Sequence, residues 1–188
     1  MRITGGEWRS RRLKGPSKNM PLRPTPDALR ERAFAVLGEQ IRGARFLDLF
    51  AGTGSVGLEA LSRGAASVVF VEKHRAAARL LRQNIDSFDL ARDRARCLVR
   101  PAIDAVRDLA RGNEPFDLAW ADPPFEDWEE GLDALTEVLA SHLLLPDGLV
   151  CLECPARANV EELLAQGLRI KRDLGGGASR VVMVARND

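Results

Sequence analysis

Asp122, Pro123, Pro124 and Phe125 stand together after the apolar run "FDLAWA" (116–121). A carboxylate, a carbonyl between two prolines and an aromatic face could grip a flat molecule that bears an amino group. If Asp122 and the Pro123 carbonyl each accept one N–H bond, the amino nitrogen can pyramidalise. Its lone pair, otherwise delocalised into the ring, is then aimed at an electrophile. The prolines fix the carbonyl's direction without added entropic cost. Phe125 can stack on a base, worth about 1 to 3 kcal/mol, which offsets part of the few kcal/mol needed to extrude that base. A rigid strand-to-helix turn would also account for the prolines, but it leaves Asp122 idle.

A second constellation lies upstream in "FLDLFAGTGSVGLEAL". Gly52, Gly54 and Gly57 form a GxGxxG turn, and Glu72 follows Gly52 by 20 residues. Such a turn lets the backbone approach a nucleoside cofactor, and an acid at the second strand's end can bind ribose hydroxyls. An NAD-dependent oxidoreductase shares this spacing. Asp48 argues against it, because a carboxylate four residues before the glycines repels a pyrophosphate. The same carboxylate attracts the ammonium of a methionine moiety, directly or through water. S-adenosylmethionine carries that ammonium and no phosphate.

These residues need a frame that brings them together. Apolar runs at 46–50, 67–72, 95–99, 116–121 and 149–153 read as strands. Helical patterns at 54–63, 75–88, 102–111 and 128–141 alternate with them. Repeated strand–helix order implies an α/β doubly wound parallel sheet with helices on both faces. The fourth strand then lies beside the first, so Asp122 and Asp48, 74 residues apart, adjoin at the strands' C-terminal ends. The terminal "GLRIKRDLGGGASRVVMVARND" reads as strand, glycine turn and strand, an antiparallel edge hairpin.

The 188 residues, 45% apolar and 29% charged, fit one globular domain with a small appendage. No apolar run approaches membrane-spanning length and no signal peptide is legible, so the chain reads as cytoplasmic, with no membrane partner. Three cysteines, Cys97, Cys151 and Cys154, argue against a disulfide framework, and the CxxC sits inside the apolar run "GLVCLECP", where strand residues are the expected reading. His74 and His142 lack partners at ligand spacing, so no metal is expected. The net charge of +1 conceals a division: residues 1–32 hold nine Lys/Arg against three acids, +6, leaving −5 on the rest. "RITGGEWRSRRL" resembles a hairpin around Gly5 and Gly6, a basic arm with Arg9, Arg11 and Arg12 offered to nucleic acid. Trp8 within it could stack on RNA or pack on the domain. A helix over about 27–38 follows, giving expected units of 1–38, an arm and helix forming an RNA and cofactor lid, and 39–188, the catalytic domain.

"DPPF" after a strand resembles the signature of class I amino-group methyltransferases. Together with "MRITGGEWRSRRL", "RPTPDALRERAFAVL", "LDLFAGTGSVGLEALSRGA" and "VVFVEK", the chain is similar nearly throughout to the RsmD family of bacterial 16S ribosomal RNA guanine-N2 methyltransferases. The resemblance implies a Rossmann-like, mostly parallel seven-stranded sheet, S-adenosylmethionine as donor, and one guanine N2 in the small subunit or its late assembly intermediate as target. It implies that Asp48, Gly52, Gly54, Glu72 and Ala102 bind cofactor, that Asp122, Pro123 and Phe125 hold the guanine, and that Arg23, Thr25 and Arg30 lie near cofactor or RNA. Where the family commonly has Gly-Asp after the third strand, this chain has Arg100-Pro101 before Ala102, so the usual adenine-side acid is missing. A monomer is expected. The alternatives are another amino-group methyltransferase acting on DNA adenine or protein glutamine, an NAD-dependent oxidoreductase, and a non-catalytic RNA-binding protein.

Overall fold

The computed structural model describes residues 1–16, 25–91, 93–124, 128–160 and 168–187. Arg23 and Phe125 lie outside the described residues. In chain order the elements are α1 (Asp27–Leu37), a 3-10 turn (Gly38–Ile41), β1 (Arg45–Leu49), α2 (Ser55–Ser62), β2 (Ser67–Val71), α3 (Arg75–Asp86) and β3 (Ala95–Leu98). There follow α4 (Ala102–Arg111), β4 (Phe116–Ala121), α5 (Trp128–Ala140), β5 (Leu144–Pro155), β6 (Leu168–Gly176) and β7 (Ser179–Arg186). The sheet runs β3-β2-β1-β4-β5-β7-β6. β1 to β5 are parallel, and β7 is antiparallel to both its neighbours.

Because the central strands are apolar at consecutive positions, the sheet buries both faces. Phe46, Phe70, Leu118 and Trp120 join one core with residues of α1 and α2. Leu47, Val71, Ala119 and Ala121 join the other with α4 and α5. Cys151 and Cys154 follow the same alternation: three residues apart on β5, they belong to opposite cores. Both are buried free thiols in the strand, as their setting in the sequence suggests. On the first face Phe34 of α1 stacks on Phe46, centroids 6.3 Å apart, and on Trp120, 5.9 Å apart.

The arm closes into a small hairpin through an Arg2–Arg12 bridge, with Ile3 N donating to Arg11 O at 3.0 Å and Ser10 N to Ile3 O at 2.9 Å. Ile3 and Leu13 enter the first core. The hairpin is fastened to α2 by Trp8 N donating to Ser62 Oγ (2.9 Å) and Ser62 Oγ to Gly5 O (2.7 Å). It is fastened to α3 by a reciprocal pair, Lys14 N to Asn84 Oδ1 (2.9 Å) and Asn84 Nδ2 to Lys14 O (3.1 Å).

One strand boundary differs from expectation by more than two residues. β5 begins at Leu144, five residues before the anticipated start, because the pairing with β4 shifts register between Phe116 and Leu118. Pro146, Asp147 and Gly148 sit in that irregularity, where β5 takes five steps to two on β4 and a strand tolerates proline.

Candidate active site

The strand order reverses between β1 and β4, so the crevice of this sheet opens at their C-terminal ends. Asp48, paired opposite Trp120 of β4, is 1% exposed, and its Oδ2 accepts from Gly57 N at 2.9 Å. Burial pushes its carboxyl up to about 7 against that hydrogen bond, and the charge of Glu72 adds to the rise. A buried carboxylate with one backbone donor and an acidic neighbour is poised for a cation.

The chain leaves β1 through a tight turn. Gly54 has φ +85°, and a Cβ there would stand 2.3 Å from Leu81 Cδ1 of α3. A Cβ on Gly57 would stand 2.2 Å from the Phe70 ring, so the glycine lets α2 lie close on β2. Glu72, 4% exposed just after β2, anchors the turn: Oε2 accepts from Gly52 N at 2.8 Å and Oε1 from His74 N at 2.7 Å. With one donor on each oxygen, lone pairs remain for two further hydroxyls. This donor set suits a ligand with a cationic end and neighbouring hydroxyl groups. Ala102, the first residue of α4, is buried in the second core.

Asp122 follows β4, with its amide donating to Leu49 O at 3.4 Å and its Oδ2 accepting from Thr25 Oγ1 at 3.0 Å. Its residue is half-buried. Burial and then the Glu153 charge hold its carboxyl well above the usual range, the Thr25 hydroxyl opposes them, and Asp48 adds a smaller push. Pro123 is buried against α5: a Cβ on Gly131 would meet its Cγ at 2.3 Å, so the glycine admits the ring.

Thr25 and Arg30, expected near nucleic acid or cofactor, both lie inside. Thr25 is 2% exposed and touches Asp122. Arg30 is 0% exposed; its guanidinium donates to Thr25 O (3.3 Å), Arg2 O (2.5 Å), Asp27 Oδ1 (3.0 Å) and Glu59 Oε2 (3.4 Å). Buried this way, it orients Thr25 rather than facing a polyanion. Arg9, Arg11 and Arg12 remain exposed. Arg11 lies over the Phe88 ring at 4.1 Å and donates to Ser87 O, while Trp8 packs on the same ring at 4.5 Å.

Two residues escaped the sequence reading. Glu153 on β5 is 2% exposed, and its Oε2 has no partner among the described residues. Burial raises its carboxyl, opposed by the nearby Thr25 and Ser179 hydroxyls and by the Arg30 charge. The register Ala121–Leu152 sets Asp122 and Glu153 at the next level of adjacent strands. The available signal was an acid inside the apolar run "GLVCLECP". Glu59, fully buried on α2, accepts from Thr4 N and Thr4 Oγ1 (both 2.7 Å), from Arg63 Nε (2.8 Å) and from Arg30. It joins the arm, α1 and α2 to the support of Asp122.

A family model described as "Conserved hypothetical protein 95" matches residues 1–184. The chain is 41% identical over 125 residues to the ribosomal RNA small subunit methyltransferase D of Escherichia coli K12, a stretch covering 66% of this chain and 60% of that protein. It is 34% identical over 155 residues to the protein of the same name from Haemophilus influenzae, covering 81% and 78%. Among solved structures, a hypothetical protein of Thermus thermophilus superposes with a TM-score of 0.81 at 34% identity, over 98% of this chain and 99% of that one.

Proposed function

The chain belongs to the conserved hypothetical protein 95 family, the RsmD family, and from that premise we propose that it transfers a methyl group from S-adenosylmethionine to the exocyclic N2 of a guanine in 16S ribosomal RNA. The substrate is the small subunit or its late assembly intermediate. The observation that carries this reading is the crevice between β1 and β4, where the buried Asp48 carboxylate, demanding a cation, opens beside Asp122 and two rigid prolines.

When bound, S-adenosylmethionine supplies an electrophilic methyl group on a sulfonium. Asp48 and the turn through Gly52 and Gly54 hold the methionine part, Glu72 the ribose hydroxyls, and Ala102 belongs to the adenine side. Asp122 and the Pro123 carbonyl accept the guanine amino N–H bonds, and Phe125 stacks on the base. The Thr25 hydroxyl fixes the Asp122 carboxylate. Asp122 Oδ takes the proton that the amino nitrogen releases on methylation. Residues 1–38 act as a cover for RNA and cofactor over a methyltransferase domain of 39–188, with Arg9, Arg11, Arg12 and Arg23 toward RNA.

The deciding experiment is transfer of labelled methyl from S-adenosylmethionine to small subunits from cells lacking the activity, followed by nucleoside analysis. N2-methylguanosine at one site is expected. Label on DNA or protein, with none on subunits, would keep the amino-group chemistry and overturn the substrate.

A further inference from the structure

Several exposed arginines of the body are neutralised locally. Those at 42, 96, 100, 107 and 111 are each paired with a carboxylate. Arg75, Arg79 and Arg82 on α3 are exposed and have no carboxylate partner among the described residues; Arg82 reaches the Cys97 thiol instead. Their spacing of i, i+4 and i+7 sets them on one stripe of the helix.

The placement of these charges opposes the helix. Cations at the start of a helix and acids at its end both work against its dipole. α3 begins with Arg75, has no acid in its first turn and ends at Asp86. By contrast α4 has Asp104 in its first turn and Arg111 in its last, and α5 opens with Glu129 and Glu130. A local rule broken on this exposed helix and obeyed on α4 and α5 points to a charge pattern kept for a partner.

The arm extends the stripe. Lys14 Nζ donates to Gln83 at 3.3 Å, and Arg11 sits over Phe88 just beyond the helix. At about 1.5 Å per residue the 12 residues of α3 span roughly 18 Å from Ser87 back to His74 and Glu72 at the crevice. Arg11, Arg12 and Lys14 with Arg75, Arg79 and Arg82 make six cations, against exposed Asp86 and Asp89.

We propose that the α3 stripe, continuous with the arm, is a docking track for the phosphate backbone of the substrate RNA that leads it to the crevice. This rests on the ribosomal RNA reading above. The test uses full-length Arg75→Gln, Arg79→Gln, Arg82→Gln as one triple variant, and Arg96→Gln, Arg107→Gln, Arg111→Gln as a triple with the same change of net charge. Affinity for small ribosomal subunits lacking the methyl group is followed across salt concentration at fixed magnesium, and S-adenosylmethionine affinity is measured on each protein.

Glutamine is close to arginine in helix propensity, so the fold should persist. The α3 triple should lower the slope of log K against log salt by about 2 to 3, at roughly 0.7 to 0.9 per lost phosphate contact. The second triple should leave the slope unchanged, and cofactor affinity should hold in both. An unchanged slope in the α3 triple, or equal losses in the two triples, overturns the track while the wild type still binds RNA. A wild-type protein that binds S-adenosylmethionine but not the small subunit overturns the ribosomal RNA reading itself.

Discussion

Asp122 stands among carboxylates. Burial raises its proton affinity most, Glu153 adds to that from the adjacent strand and Asp48 a little from β1, so this acid gives up its proton later than an ordinary aspartate. An ionised Asp122 is the stronger acceptor for an amino N–H. Methyl transfer is therefore expected to rise with pH along a limb set by Asp122. Glu153→Gln removes the like charge and keeps a polar side chain for Thr25 and Ser179, so the limb should move to lower pH. Single-turnover rates across pH check this, and a limb that stays in place would mean Glu153 does not govern Asp122. Asp122→Ala should abolish transfer while leaving S-adenosylmethionine affinity within a few-fold; a wild-type rate in that variant would end the orientation argument.

At the scale of elements, the arm, α1 and α2 are tied through one buried carboxylate. Glu59→Gln leaves the Arg30 guanidinium, at 0% exposure, without its interior counter-charge. Breaking a buried pair from one side costs about 3 to 5 kcal/mol. Denaturant unfolding should show a loss of that order, and a loss below about 1 kcal/mol would mean Asp27 suffices as counter-ion. This network was not legible in the sequence, and the reason is geometric. Nothing in "SVGLEALS" shows that α2 is buried at every residue, which it is because the arm covers its outer face. Arg30 was expected near cofactor or RNA from the family resemblance, and the pattern of α1 cannot reveal that Arg2, 28 residues upstream, packs against it. The strands around Asp48, Glu72 and Asp122 were legible, being apolar runs ended by a glycine turn, a charged stretch and two prolines respectively. The early start of β5 was hidden because Pro146, Asp147 and Gly148 look like a turn. Glu153 was hidden because one acid in an apolar strand gives no hint of its neighbour across the sheet.

Taken as a whole, the molecule buries negative charge at its crevice and displays positive charge beside it. The Asp48 carboxyl, at about 7 in the folded protein against 3.8 as its ordinary value, sets a pH dependence. Between about pH 4 and 7 the unfolded chain has already released this proton while the folded chain keeps it. Stability of the ligand-free protein thus falls as pH rises through that window and levels off above it. Asp122 and Glu153, also raised, act in the same direction. A bound cation reverses the balance at Asp48, because it favours the ionised form. S-adenosylmethionine at fixed concentration should therefore raise Tm more at pH 8 than at pH 5.5, its affinity falling by up to about tenfold per pH unit below the Asp48 value. Asp48→Asn keeps an oxygen for Gly57 N, removes the charge, and should flatten both trends. Thermal unfolding with and without S-adenosylmethionine from pH 5.5 to 8.5 makes the comparison. A ligand-induced shift that ignores pH in the wild type would show that Asp48 does not meet the cationic end of the cofactor.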